Sequence, residues 1–145
     1  MQKIYLASDH AALDMKSAIV EHLQASGFDP VDLGPHEAAS VDYPDYAAKL
    51  AQTLATDEAA KGVLLCGTGI GISIAANRFS HIRAALCKDV TDAKLTRLHN
   101  DANVVALGAR TTGIETAKEI VSTFFSTDFE GGRHQRRVDK LTDLG

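Results

Sequence analysis

The sequence predicts one doubly wound α/β domain over residues 1–145, with a five-stranded parallel sheet covered by helices on both faces. Three observations carry this. Short apolar runs recur along the chain, segments with helical apolar spacing separate them, and glycine or proline marks several junctions.

Taken in order, Lys3 to Ser8 reads as the first strand. Leu13, Met15, Ile19, Val20 and Leu23 then recur at helical spacing, and Gly27 sits where a C-cap belongs. Phe28 to Leu33 is the second strand, and Gly34 to Asp42 an irregular loop holding Pro35 and His36. Pro44 stands near the start of a second stripe: Tyr46, Ala47, Leu50, Ala51 and Leu54. Val63 to Cys66 is the third strand, and a glycine loop leads from it into a helix. Ile82 to Cys87 and Asn103 to Leu107 are the remaining strands, with a helix over Thr91 to Leu98 between them. Thr112 and Glu115 suggest a capping box before the stripe Ile114, Ala117, Val121 and Phe124. The tail from Glu130 begins with Gly131-Gly132 and turns basic; if it is helical, Arg133 and Arg137 stand one turn apart. Such alternation means βαβ units in a Rossmann-like sheet.

Composition narrows the function. The chain has 145 residues, 45% of them apolar, and a formal net charge of −4. This suits one soluble domain with its own core and offers no broad basic face to nucleic acid. The opening MQKIYLASDH turns polar too soon for a signal peptide, and no apolar stretch could span a bilayer, so the cytoplasm is expected and no membrane contact. Cys66 and Cys87, the only cysteines, are expected reduced there. The six histidines include no pair at zinc-ligand spacing, so no metal site is expected.

Residues 63–78, VLLCGTGIGISIAANR, are the most informative segment. Glycines at Gly67, Gly69 and Gly71 let the backbone approach a ligand and turn its N–H groups outward. The helix that follows adds its free N–H groups and positive dipole end. Such a loop suits negative charge, and Cys66 at its mouth is a candidate nucleophile or base. The plain reading of Cys66 is a buried small hydrophobe. The strict dinucleotide fingerprint fails because its third glycine position is Ile72. Ile72 also occupies the place where cysteine phosphatases need arginine.

Ligands in open parallel sheets bind beyond the C-terminal strand ends. That groups Asp9-His10 after the first strand, Cys66 to Gly71 after the third and Gly108 to Arg110 after the fifth. Each has a plainer reading. Asp9 would serve as a helix cap, His99 as a dipole partner at a helix C-terminus, and the cluster Arg133, His134, Arg136, Arg137 as a solvated face. For a phosphate ligand, paired arginines would form a clamp, which Arg110 would join.

Five segments together resemble one family: SDH at 8–10, DYP at 42–44, CGTGIGISIAANR at 66–78, RLHNDAN at 97–103 and EGGRHQRRV at 130–138. The chain resembles the ribose-5-phosphate isomerase B family, within a wider group that includes galactose-6-phosphate isomerase subunits. The resemblance implies Cys66 as the base moving a proton between C1 and C2. A second branch of the family uses a glutamate at the place of Ile72, which cannot act as base. It further implies ring opening by His99, with Thr68 opposite and Asp9 nearby. Asn100 and the backbone N–H groups from Gly67 through Gly69 and Ile70 to Gly71 would stabilise the enediolate oxygen. His10, Arg133 and Arg137 would hold phosphate, Arg110 would reach in from a second subunit, and Tyr43 would line the sugar site. A homodimer with shared sites, sometimes paired into a tetramer, is implied, and neither metal nor nucleotide is required.

This chemistry needs a base over the C1–C2 edge, donors for a developing oxyanion and a distant phosphate grip. The expected reaction is therefore isomerisation of ribose 5-phosphate and ribulose 5-phosphate. Two alternatives stand: the same chemistry on a tetrose or hexose phosphate, and a non-catalytic phosphate- or nucleotide-binding module.

Overall fold

A computed structural model describes residues 1–145 as five parallel strands and six α-helices. The strands are β1 (Lys3–Ser8), β2 (Asp29–Asp32), β3 (Lys61–Cys66), β4 (Ala84–Leu86) and β5 (Val104–Gly108). The helices are α1 (Leu13–Ala25), α2 (Tyr43–Ala55), α3 (Ile70–Ala76), α4 (Val90–Asn100), α5 (Ile114–Ser126) and α6 (Arg133–Leu144), with a 3₁₀ turn at His10–Ala12. The sheet order is β2-β1-β3-β5-β4. The chain therefore winds outward from β1 in both directions, and its topological switch point falls between β1 and β3. No helix is long and apolar enough to cross a membrane.

The apolar stripes pack as their spacing predicts, except that Ile114 at the start of α5 is exposed. Met15, Ile19 and Leu23 of α1 pack with Ala117, Ile120, Val121 and Phe124 of α5 on one face of the sheet. Ala47, Leu50, Ala51 and Leu54 of α2 pack with Ile72 and Ala76 of α3 on the other. Gly27 ends α1 at φ +89°, and Phe28 N–H reaches back to Leu23 C=O at 3.0 Å, closing a Schellman motif. Cys87 belongs to the first face and Cys66 to the second, so the sheet separates two free thiols.

Three expectations change. The edge strands β2 and β4 are shorter than their apolar runs, because an edge strand is paired only where its single neighbour reaches. β3 begins earlier, at Lys61, since Gly62 lets the Leu50 side chain lie against the strand. The Thr112–Glu115 capping box does not form. Gly113 is the N-cap of α5 with no side-chain bond, which puts Thr112 one residue too early.

Candidate active site

Four segments meet at the C-terminal edge of the sheet. β1 exits at Asp9, whose N–H donates to Leu65 C=O at 3.1 Å. β3 exits at Cys66, and its loop is tied to the exit of β5: Ala109 N–H donates to Cys66 C=O at 2.9 Å, and Arg110 N–H to Gly67 C=O at 2.8 Å. Gly108 makes this close approach possible, since a Cβ there would lie 2.6 Å from the Thr68 carbonyl. The fourth segment ends at Tyr43, whose ring rests on Gly71; a Cβ at Gly71 would meet the Tyr43 Cζ at 2.6 Å.

Cys66 is 4% exposed, and its Sγ accepts the Gly69 N–H at 3.2 Å. Gly69 turns that N–H toward the sulfur by adopting φ +76°, in the left-handed region. Thr68 is exposed, and its hydroxyl oxygen accepts the Ile70 N–H at 3.2 Å. Asp9 does cap the 3₁₀ turn, accepting the Ala11 N–H at 2.9 Å. His10 is exposed, and its Nδ1 accepts the Val41 N–H at 3.1 Å, which leaves Nε2 to carry the ring proton outward. The Arg110 guanidinium lies over Gly67 of its own chain.

The other expected residues sit at the far end. α4 starts at the C-terminal edge and runs back, so His99 and Asn100 emerge where β5 begins. There Asp101 pairs with Arg97 at 2.9 Å and Arg83 at 3.4 Å. Lys61 lies in the same cluster; burial, then the Arg97 charge, holds its ammonium below the usual lysine range against the pull of Asp101 and Asp128. Glu130 N–H donates to Leu98 C=O at 3.1 Å, which brings the start of α6, with Arg133 and Arg137, to this end. A six-residue strand rises about 3.3 Å per residue, so roughly 20 Å separates the two groups within one chain.

His99 has a partner that its place in the sequence does not announce. The ring of His134 stacks on it with centroids 4.5 Å apart and 19° between planes. His134 is buried; its Nε2 makes no hydrogen bond, and the Glu130 carboxylate lies 3.6 Å from it. The four-residue spacing from Glu130 to His134 was a readable signal. Ligand atoms of these three lie within 4.8 Å of one another. They do not fit a metal, because stacked rings aim their in-plane lone pairs side by side and not at one point. A cleft of about 480 Å³ also opens at this end, between Phe79, Ile82, Arg83 and Leu141; Asn100 alone among the expected residues lines it.

Residues 4–141 match the family model described as Ribose/Galactose Isomerase. The chain belongs to that family. It is 46% identical over 144 residues to ribose-5-phosphate isomerase B of Escherichia coli, covering 99% of this chain and 97% of that one. Solved structures agree. The type B ribose 5-phosphate isomerase of Trypanosoma brucei superposes with a TM-score of 0.96 at 45% identity, covering 100% and 99% of the two chains. The ribose 5-phosphate isomerase of Thermotoga maritima superposes at 0.94 with 50% identity, covering 98% of each. The expected family, fold and isomerase class therefore hold.

Proposed function

We propose that this chain interconverts ribose 5-phosphate and ribulose 5-phosphate, as a cytoplasmic enzyme, with Cys66 as the base. The observation that carries the reading is the Cys66 sulfur, held by Gly69 N–H in a glycine loop at the β1/β3 switch point. Thr68 belongs to that loop, Tyr43 and Arg110 pack on it, and Asp9, followed by His10, leaves the neighbouring strand β1.

The steps take the residue roles that the family resemblance implies. His99, aided by Asp9 and Thr68, opens the sugar ring by proton transfer. The thiolate of Cys66 removes the C2 proton of the open aldose, and the electron pair shifts through C1 to its carbonyl oxygen. Backbone N–H groups from Gly67 to Gly71, with Asn100, receive the enediolate charge. The Cys66 thiol returns the proton to C1, the O2 proton passes to O1, and the ketose results. His10, Arg133 and Arg137 hold the phosphate, so remote binding energy keeps the open chain in place.

The same reading requires a second copy of this chain. His99, Asn100, Arg133 and Arg137 stand at the opposite end of the sheet from Cys66, so they serve the thiol of a partner. Ile70 and Ile74 on α3, with Leu141 and Leu144 on α6, leave apolar surface for that contact. A homodimer is the smallest complete unit; two dimers pairing into a tetramer would leave the sites unchanged.

Proton NMR of ribose 5-phosphate with the protein in D₂O tests the reaction, with Cys66→Ala alongside. Ribulose 5-phosphate forming with deuterium at the reacting carbon, and neither event in the variant, is the expected result. Exchange on a tetrose or hexose phosphate instead would move the substrate and keep the mechanism. No exchange on any sugar phosphate would leave a phosphate-binding module.

A further inference from the structure

Lys16 has a place in the site that its position on a core helix conceals. It lies on the buried side of α1, between Leu13 and Ile19, and is only 1% exposed. Its ammonium makes two contacts: the Pro35 carbonyl at 2.6 Å and the Asp32 carboxylate at 2.9 Å. The same Asp32 oxygen accepts the Gly34 N–H at 2.8 Å, and the Gly34 carbonyl accepts the Ser8 N–H at 3.1 Å. Ser8 precedes Asp9 and His10 directly. The loop that Lys16 anchors at Pro35 returns to the site at Val41, whose N–H holds His10 Nδ1 at 3.1 Å, and ends at Tyr43 on Gly71.

We propose that Lys16 is a positioning residue: by fixing the 33–42 loop through Pro35 and Asp32, it sets the ring orientation and tautomer of His10. The inference rests on the reading of His10 as a phosphate ligand. A buried ammonium is a poor way to gain stability, because desolvation offsets most of its attraction. It is a good way to fix a loop, because its donors reach a carboxylate and a carbonyl that an apolar side chain would leave unmet. The loop has no helix or strand of its own from Leu33 to Asp42, so side-chain anchors at its two ends define its path. Without the first anchor, Val41 N–H is no longer presented to Nδ1, and His10 loses the bond that keeps its proton on Nε2.

The test is Lys16→Met, which keeps length and burial and removes the donors, with Asp32→Asn as a second variant should the first fold poorly. Nitrogen-15 NMR of the His10 imidazole reads the tautomer directly, with or without substrate. The expected result is a clean Nε2–H pattern in the parent protein and an averaged one in the variant. With ribose 5-phosphate, KM is expected to rise roughly tenfold and kcat to change far less. Inorganic phosphate should weaken by the same factor, and the effect should vanish in a His10→Ala background. An unchanged His10 pattern, or a KM effect undiminished without His10, would overturn the proposal. If the parent turns over no sugar phosphate, the proposed function fails on its own; the imidazole pattern still decides the role of Lys16.

Discussion

The Gly69 N–H meets the Cys66 sulfur at 3.2 Å because Gly69 adopts φ +76° with no side chain to accommodate. A Cβ there would lie 2.7 Å from a Leu86 methyl and 2.9 Å from the Leu107 backbone carbon. The methyl can yield, but the backbone of a central strand cannot. Gly69→Ala is therefore expected to cost about 1–3 kcal/mol of stability. Turnover should fall on the order of 100-fold as a preorganised donor is displaced. Denaturant melts beside initial rates check both.

Gly71→Ala should separate the two quantities. Its Cβ would strike the Tyr43 ring, 2.6 Å from Cζ, but Tyr43 is 39% exposed and free to swing outward. Alanine also favours the helix, so stability is expected to hold or rise by up to about 1 kcal/mol. On the proposed reading, in which Tyr43 lines the sugar site, KM should rise as the ring swings away. A Gly71→Ala protein with parental KM would remove Tyr43 from the site.

Subunit sharing predicts complementation. Cys66→Ala and His99→Ala chains, each inactive alone, are mixed, unfolded and refolded together. Random pairing makes half the dimers mixed, each with one intact site, so about a quarter of parental activity should return. A site built within one chain would give no recovery.

Cys87 sets an alkaline limit. Burial, then the Asp92 and Asp89 carboxylates, pushes its thiol up from 9.0 to about 12. Between those values the folded chain keeps a proton that the unfolded chain has lost, so stability falls as pH rises through the window. Cys87→Ala should flatten that fall, seen in urea midpoints at about pH 8 and about pH 10.5. At neutral pH, alkylating reagents should spare Cys87.

What was legible in the sequence had local causes. The β3–loop–α3 unit reads from an apolar run and spaced glycines, and α1 from its stripe and Gly27. Edge-strand lengths depend on what a neighbour can pair with, and the α5 cap on how the turn after Gly108 places Thr112. His99 is legible as a residue but not as a location. Its end of the sheet follows from the direction of α4, which puts it opposite Cys66 within one chain. Lys16 was visible as a charge inside an apolar stripe, but its partners come from a loop with no periodicity.

The glycine loop is hemmed in by Leu86 and Leu107 at Gly69, by Thr68 at Gly108 and by Tyr43 at Gly71. Any side chain added on the first two sides displaces backbone or core, so the loop has one permitted path. On the proposed function, room for sugars of another length must come from Tyr43 and the exposed residues 36–40 leading to it. Selection for a new substrate would act there, on a stretch that tolerates change, while the glycine loop around Cys66 stays fixed.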